Sequence, residues 1–158
     1  MQEADMVDLS NIIYQEGDQA LLPELKQLWT ALNQHHMGVS KYFSQNFEGF
    51  TFDMRVNAFD HLNALKIFVA VDNSCQQKIG YIITSLSNNQ TGEIDSLYIK
   101  PDYRGLGISS ALMEKALDWL NQNDVKKMIL GVAYGNEAVW PIYKKYGFLP
   151  KVTILERL

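Results

Sequence analysis

The sequence predicts an α+β fold in which a mixed, mostly antiparallel sheet of six to seven strands is flanked by about four helices. Three observations lead there. β-rich and amphipathic runs follow one another in the order strand, helix, helix, three strands, helix, strand, helix, strand. Short polar turns separate the three middle strands, the spacing of an antiparallel meander. The closing strand–helix–strand unit is a crossover, which sets its strands parallel. No repeat, linker or charge block divides the chain, so one domain over residues 1–158 is expected.

Each element has its own signal. Val7 to Tyr14 reads as a first strand. From Asp18 to His36, apolar residues recur at Leu21, Leu22, Leu25, Leu28, Trp29 and Leu32, the three-and-four spacing of an amphipathic helix, and Gly38 is a natural stop. A second helix over Phe52 to Ala64 sets Phe52, Val56, Phe59 and Leu62 on one stripe. Lys66 to Asp72 and Lys78 to Ser87 are β-rich and meet at an Asn73-Ser74 turn; Asn88 to Gly92 is the next turn, leading into a strand over Glu93 to Ile99. Arg104 to Asn121 is a strong helix, Lys127 to Ala133 a buried strand, Glu137 to Tyr146 a short helix ended by Gly147, and Phe148 to Leu155 a last strand.

Composition narrows the function. The 158 residues are 47% hydrophobic and 20% charged, which excludes disorder, and the formal charge of −4 argues against a nucleic-acid binder. Cys75 is the single cysteine, so an internal disulfide and a cysteine-based zinc cluster are excluded. His35 and His36 are adjacent and point about 100° apart on a helix, so they cannot share a metal, and no metal is expected. The start, Met1 to Met6, carries acids where a leader needs bases and an apolar run, and the longest apolar run, Ile67 to Val71, is far short of a membrane span. A cytoplasmic protein without a membrane partner is expected.

The informative segment is Ile99-Lys100-Pro101-Asp102-Tyr103-Arg104-Gly105-Leu106-Gly107-Ile108-Ser109-Ser110. A strand runs into a glycine turn that opens a helix, which is an anion cradle: glycines let backbone N–H groups approach a phosphate, and the helix N-terminus adds about half a positive charge. Arg104 adds a fork of donors. The nucleotide P-loop string is missing, and the dinucleotide fingerprint, which Gly105, Gly107 and Ser110 nearly fit, belongs in the first turn of a parallel doubly wound sheet. Arg104-Gly105-Leu106-Gly107-Ile108-Ser109 resembles the Arg/Gln-x-x-Gly-x-Gly/Ala acetyl-CoA pyrophosphate loop of the GNAT N-acetyltransferase superfamily, with Ser109 in place of the usual glycine or alanine. Asn136 to Phe148 is similar to the same family's Asn…Tyr-x-x-x-Gly-Phe signature through Asn136, Tyr143, Gly147 and Phe148, with Val139 standing where alanine is frequent.

The resemblance implies a GNAT fold and an acetyl-CoA-dependent N-acetyltransferase that acts by direct transfer. Acetyl-CoA would lie between the strands Glu93–Ile99 and Lys127–Ala133, held by backbone groups of Leu97, Tyr98 and Ile99, by the cradle Arg104, Gly105, Leu106, Gly107, Ile108, Ser109 and Ser110, and by Asn136. Tyr143 would protonate the leaving thiolate. Glu93 would be the base, with Asp95 as its substitute. A base is needed because neutralising a lysine-like ammonium at pH 7 costs about 4.6 kcal/mol.

The acceptor side is expected in Asp18 to Ala64, with His35 or His36 at the mouth of an apolar pocket and Glu93 and Asp95 at its floor. Such a pocket suits a primary amine of a small molecule, amino-acid derivative or peptide N-terminus. A homodimer is compatible with the sequence. Two other readings stay open, a non-catalytic acyl-CoA sensor of the same fold and a dinucleotide-binding protein.

Overall fold

A computed structural model describes residues 6–158; the acidic residues 1–5, read above as lacking a leader pattern, lie outside the described residues. Five strands form one sheet in the order β1 (Ile12–Gly17), β2 (Ala64–Asp72), β3 (Gln77–Leu86), β4 (Thr91–Ile99) and β5 (Lys127–Leu130). The first four are antiparallel neighbours, and β5 runs parallel to β4. β2 and β3 are central because their runs of Ile, Val and Phe can be buried on both faces. Asp72 holds the turn between them, its Oδ1 accepting from the Ser74 backbone N–H and hydroxyl.

Helices cover both faces of the sheet. On one, α1 (Lys26–Val39) and α3 (Phe52–Asn57), with α2 (Ser44–Glu48) beside them, bury Leu28, Trp29 and Phe52 with Ile67, Val69, Tyr81, Ile83 and Tyr98. On the other, α4 (Ile108–Gln122) packs Leu112, Met113, Ala116 and Leu120 on Phe68, Ala70, Ile82 and Ile94, and α5 (Trp140–Lys144) adds Tyr143 to that side.

Several elements differ from their sequence reading. The first strand begins at Ile12, five residues late, because Asp8 caps a 3-10 turn over Leu9–Asn11. The helix expected from Asp18 starts as a 3-10 turn, Gln19–Leu25, that contains Pro23, and α1 then runs through Gly38 to Val39. The second helix ends at Asn57, since Ala64 already belongs to β2. Among the described residues the sheet has five strands, not six or seven. Phe148 to Leu155 forms no strand: Pro150 lacks a donor, the adjoining edge is only the four-residue β5, and Leu149, Val152, Ile154 and Leu155 are exposed.

One irregularity positions the site. In β4, Ser96 pairs with Ile83 and Ile94 with Thr84, so Asp95 is an extra residue in a β-bulge. The bulge reverses the alternation: Ile94 faces the α4 core, while Ser96 and Tyr98 face the side of α1, where the Tyr81 and Ser96 hydroxyls lie 2.7 Å apart. Beyond it β4 no longer follows β5. The two strands pair only between Thr91–Ile94 and Lys127–Leu130.

Candidate active site

The separation of β4 from β5 opens a cleft of about 460 Å³. Its walls are Ser96 to Ile99 on β4 and, at the end of β5 and just past it, Leu130 to Ala133. The Lys100 N–H donates to the Ile79 carbonyl of β3 at 2.8 Å. On the alternation of an antiparallel ladder, Tyr98 and Ser96 therefore also turn their main-chain groups to β3, while Leu97 and Ile99 turn theirs to the side that β5 has left. Those groups, apart from the Ile99 carbonyl that Arg104 takes, form an open hydrogen-bonding edge inside the sheet.

The glycine turn lies at one end of the cleft. Gly105 and Gly107 have φ of 77° and 81°, a left-handed conformation that a side chain would strain. Gly107 caps α4, whose first main-chain bond runs from Ala111 N–H to the Gly107 carbonyl at 3.1 Å. The N–H groups of Gly107, Ile108, Ser109 and Ser110 thus have no partner within the helix. Arg104 donates through Nε to the Ile99 carbonyl at 2.9 Å and lies 5.6 Å over the Tyr98 ring, which ties the guanidinium to the open edge. Arg104, Gly105, Ile108 and Ser109 line the cleft; Leu106 instead packs on the α4 core, and Gly107 and Ser110 lie beside the lining. The sequence reading overlooked Tyr103, whose hydroxyl donates to Asp72 Oδ2 at 2.9 Å and pins the turn to the β2–β3 hairpin. An acid ahead of Asn73-Ser74 was the available signal for that anchor.

Tyr143 lines the cleft from α5, and burial holds its phenol above the ordinary tyrosine pKa. Asn136 lines it too, its Oδ1 lying 3.4 Å from His35 Nε2. That contact belongs to a larger seam between the end of α1 and the loop after β5. A Cβ at Gly135 would run into the Val39 carbonyl, and the Tyr42 and Tyr134 rings stack 5.7 Å apart. His35 and His36 both line the cleft. Burial, and then His35, push the His36 imidazole below its usual pKa, so it is neutral at pH 7.

A family model described as the acetyltransferase (GNAT) family matches residues 22–148. The chain belongs to that family. An N-alpha-acetyltransferase of Schizosaccharomyces pombe is 32% identical over 85 residues, which is 51% of this chain and 55% of the yeast protein. The matched segments span about a third to a half of the curated relatives' own length. In structure, the GNAT chain overlays a Pyrococcus furiosus protein assigned as an acetyl transferase with a TM-score of 0.70, at 23% identity, over 92% of this chain and 99% of that one. It overlays an aminoglycoside N-acetyltransferase in complex with CoA with a TM-score of 0.62, at 15% identity, over 93% and 94% of the two chains. These likenesses rest on the fold. Among the described residues no three His, Cys, Asp or Glu side chains come together as a metal would need, and no helix is long and apolar enough to cross a membrane.

The acids of this GNAT chain lie elsewhere than expected. Neither Glu93 nor Asp95 lines the cleft. Glu93 sits where β4 and β5 still pair, and the bulge turns Asp95 inward beneath Arg55, which the sequence reading also overlooked. Arg55 Nη2 donates to the Asp95 main-chain carbonyl at 2.8 Å and stays 3.9 Å from Oδ1. The Asp95 side chain is 6% exposed, and its Oδ2 has no hydrogen-bond partner among the described residues. Burial pushes its carboxyl up to about 7, with Glu93 adding to the shift and Ser85 and Arg55 opposing it. Burial also raises Glu93, against the pull of Arg55.

The Asp95 shift has a sign in stability. A folded-state pKa above the unfolded value makes a contribution that is whole below about pH 4 and is lost as pH rises through 7. Asp95→Asn should therefore escape that loss. In urea unfolding at pH 5 and pH 8, the stability difference between variant and parent should shift in the variant's favour by on the order of 3 kcal/mol. An equal difference at both pH values would contradict the assignment.

Proposed function

We propose that this chain transfers an acetyl group from acetyl-CoA to a primary amine of a small molecule, amino-acid derivative or peptide N-terminus, by direct attack and without a covalent enzyme intermediate. One observation carries the reading: an open main-chain edge at Leu97 and Ile99 leads to a cradle of partnerless N–H groups at the start of α4. The edge is suited to a flexible chain of amide groups, which would add to β4 as an extra strand. The cradle is suited to a pyrophosphate. The two together match an acyl carrier that has both.

Acetyl-CoA would supply the acetyl group already activated as a thioester. The Leu97 N–H would donate to the acyl oxygen, where negative charge grows in the transition state. Arg104 and the N–H groups of Gly107 to Ser110 would hold the pyrophosphate, and Asn136 would hold the far arm. Tyr143, kept protonated by its raised pKa, would give its proton to the leaving thiolate, whose own pKa is near 8.5. Glu93 would take the amine's proton through water, because it stands outside the cleft wall and its raised pKa makes it a better base near neutrality. The N-alpha-acetyltransferase among its relatives favours an α-amine as acceptor.

Acetyl-CoA should bind the protein in calorimetry where NAD does not, and an amine should release free thiol. Ser109→Glu is the sharper variant than any change at Gly107, because Ser109 has ordinary helical geometry and an acid is favourable in a first helical turn. It should weaken acetyl-CoA by at least tenfold while leaving the melting temperature within a few degrees. Unchanged affinity would move the site elsewhere, and binding without thiol release from any amine would make the protein an acyl-CoA sensor.

Tyr143→Phe should lower kcat by about 100-fold, the low end for a lost general acid, while acetyl-CoA affinity stays within about twofold. An unchanged kcat would return Tyr143 to a packing role.

A further inference from the structure

Next to the cleft is a second, smaller chamber of about 110 Å³, on the sheet face that α1 and α3 cover. Leu32, His36 and Ser96 line both spaces, so the chamber adjoins the cleft at those residues. Trp29, Phe47 and Phe50 form aromatic walls. Asn33 lines it too, its Nδ2 donating to the Phe47 carbonyl at 2.7 Å. His36 is neutral at pH 7.

Arg55 is therefore the one formal charge lining the chamber at neutral pH. Its guanidinium lies 4.7 Å over the Phe59 ring, which fixes its direction. A two-bond pair with Asp95 would close the guanidinium off, but the pair is open: one donor goes to a main-chain carbonyl, and the carboxylate stays 3.9 Å away. Glu93 and Asp95 stand behind Arg55 on β4, and neither lines the chamber. An arginine keeps its charge at every working pH, and aromatic walls strengthen its attraction for an anion. Size sets the rest. A dry cavity of about 150 Å³ takes benzene, six heavy atoms, so one of about 110 Å³ has room for about four. A methylene and a carboxylate are four.

We propose that this chamber is the specificity pocket of the acceptor site, in which Arg55 binds the carboxylate of an aspartyl side chain, so that the preferred acceptor is the α-amine of an aspartyl residue. The inference rests on the acetyl-transfer reading, because the amine waiting in the cleft places the acidic arm in the chamber.

Three matched acceptors test it: the dipeptide amides Asp-Ala, Asn-Ala and Leu-Ala, assayed by thiol release with acetyl-CoA. The aspartyl acceptor should exceed the isosteric asparaginyl one in kcat/KM by roughly 10- to 100-fold, the range of a charge-assisted hydrogen bond. Arg55→Gln should bring that ratio within about threefold, and Arg55→Lys should restore part of it. Unchanged acetyl-CoA affinity in both variants would confirm that they fold, and a merely structural Arg55 would lower all three acceptors together. A wild-type preference for the leucyl acceptor, or a ratio that survives Arg55→Gln, would overturn the proposal while leaving acetyl transfer intact. Calorimetry with Asp-Ala-amide alone separates the two ideas. Binding that needs Arg55, without thiol release, would keep the chamber and overturn the transfer reading.

Discussion

A strand inside a sheet ordinarily bonds both neighbours along its length, and β4 does so only over Thr91–Ile94. Past that point β5 departs, and the main-chain groups of Leu97 and the Ile99 N–H face an open slot within the sheet. Backbone donors and acceptors without partners are costly to bury, so such a slot persists only where water or a ligand satisfies it. The bulge at Asp95 coincides with the departure and bends the strand there. Arg104 reaches back to the Ile99 carbonyl and joins the slot to the glycine turn. Tyr103 and Asp72 fasten that turn to the centre of the sheet.

The electrostatics divide along the same line. One end of the slot has partnerless N–H groups, Arg104 and the positive end of α4, a place for an anion although the whole chain is at −4. The acids stand apart. Glu93 and Asp95 lie under Arg55 on the α1 side of β4, buried enough that both carboxyls are held above their usual range. Asp95 is a buried carboxyl with one oxygen lacking a partner, a cost that the fold carries beside its candidate site. The α1 end and the loop after β5 close over the slot through Gly135 and the Tyr42–Tyr134 stack.

The parts legible in the sequence were those set by local chemistry. The glycine turn before α4 was legible because positive φ and a helix start need particular residues at fixed spacing. The meander was legible because β2 and β3 are dense in β-branched residues between polar turns. What escaped depended on partners distant in the chain. Phe148 to Leu155 has strand composition, but a strand also needs an edge, and β5 offers four residues. Glu93 and Asp95 read as one face of a regular strand reaching the pocket floor, but pairing with β5 still holds at Glu93 and a bulge turns Asp95 beneath Arg55, so neither lines the cleft. Arg55 itself carried no signal, as one arginine on a short helix. Gly38 was read as a stop because a glycine usually weakens a helix, yet the last turn of α1 carries it through.

If the open edge of β4 is the cofactor's seat, amide hydrogen exchange read residue by residue measures it most directly. Saturating acetyl-CoA should slow exchange at the Leu97 and Ile99 amides and at Gly107 to Ser110, while amides at the centre of β2 and β3 keep their rates. Unchanged exchange at Leu97 and Ile99, with protection appearing on another face of the molecule, would contradict it.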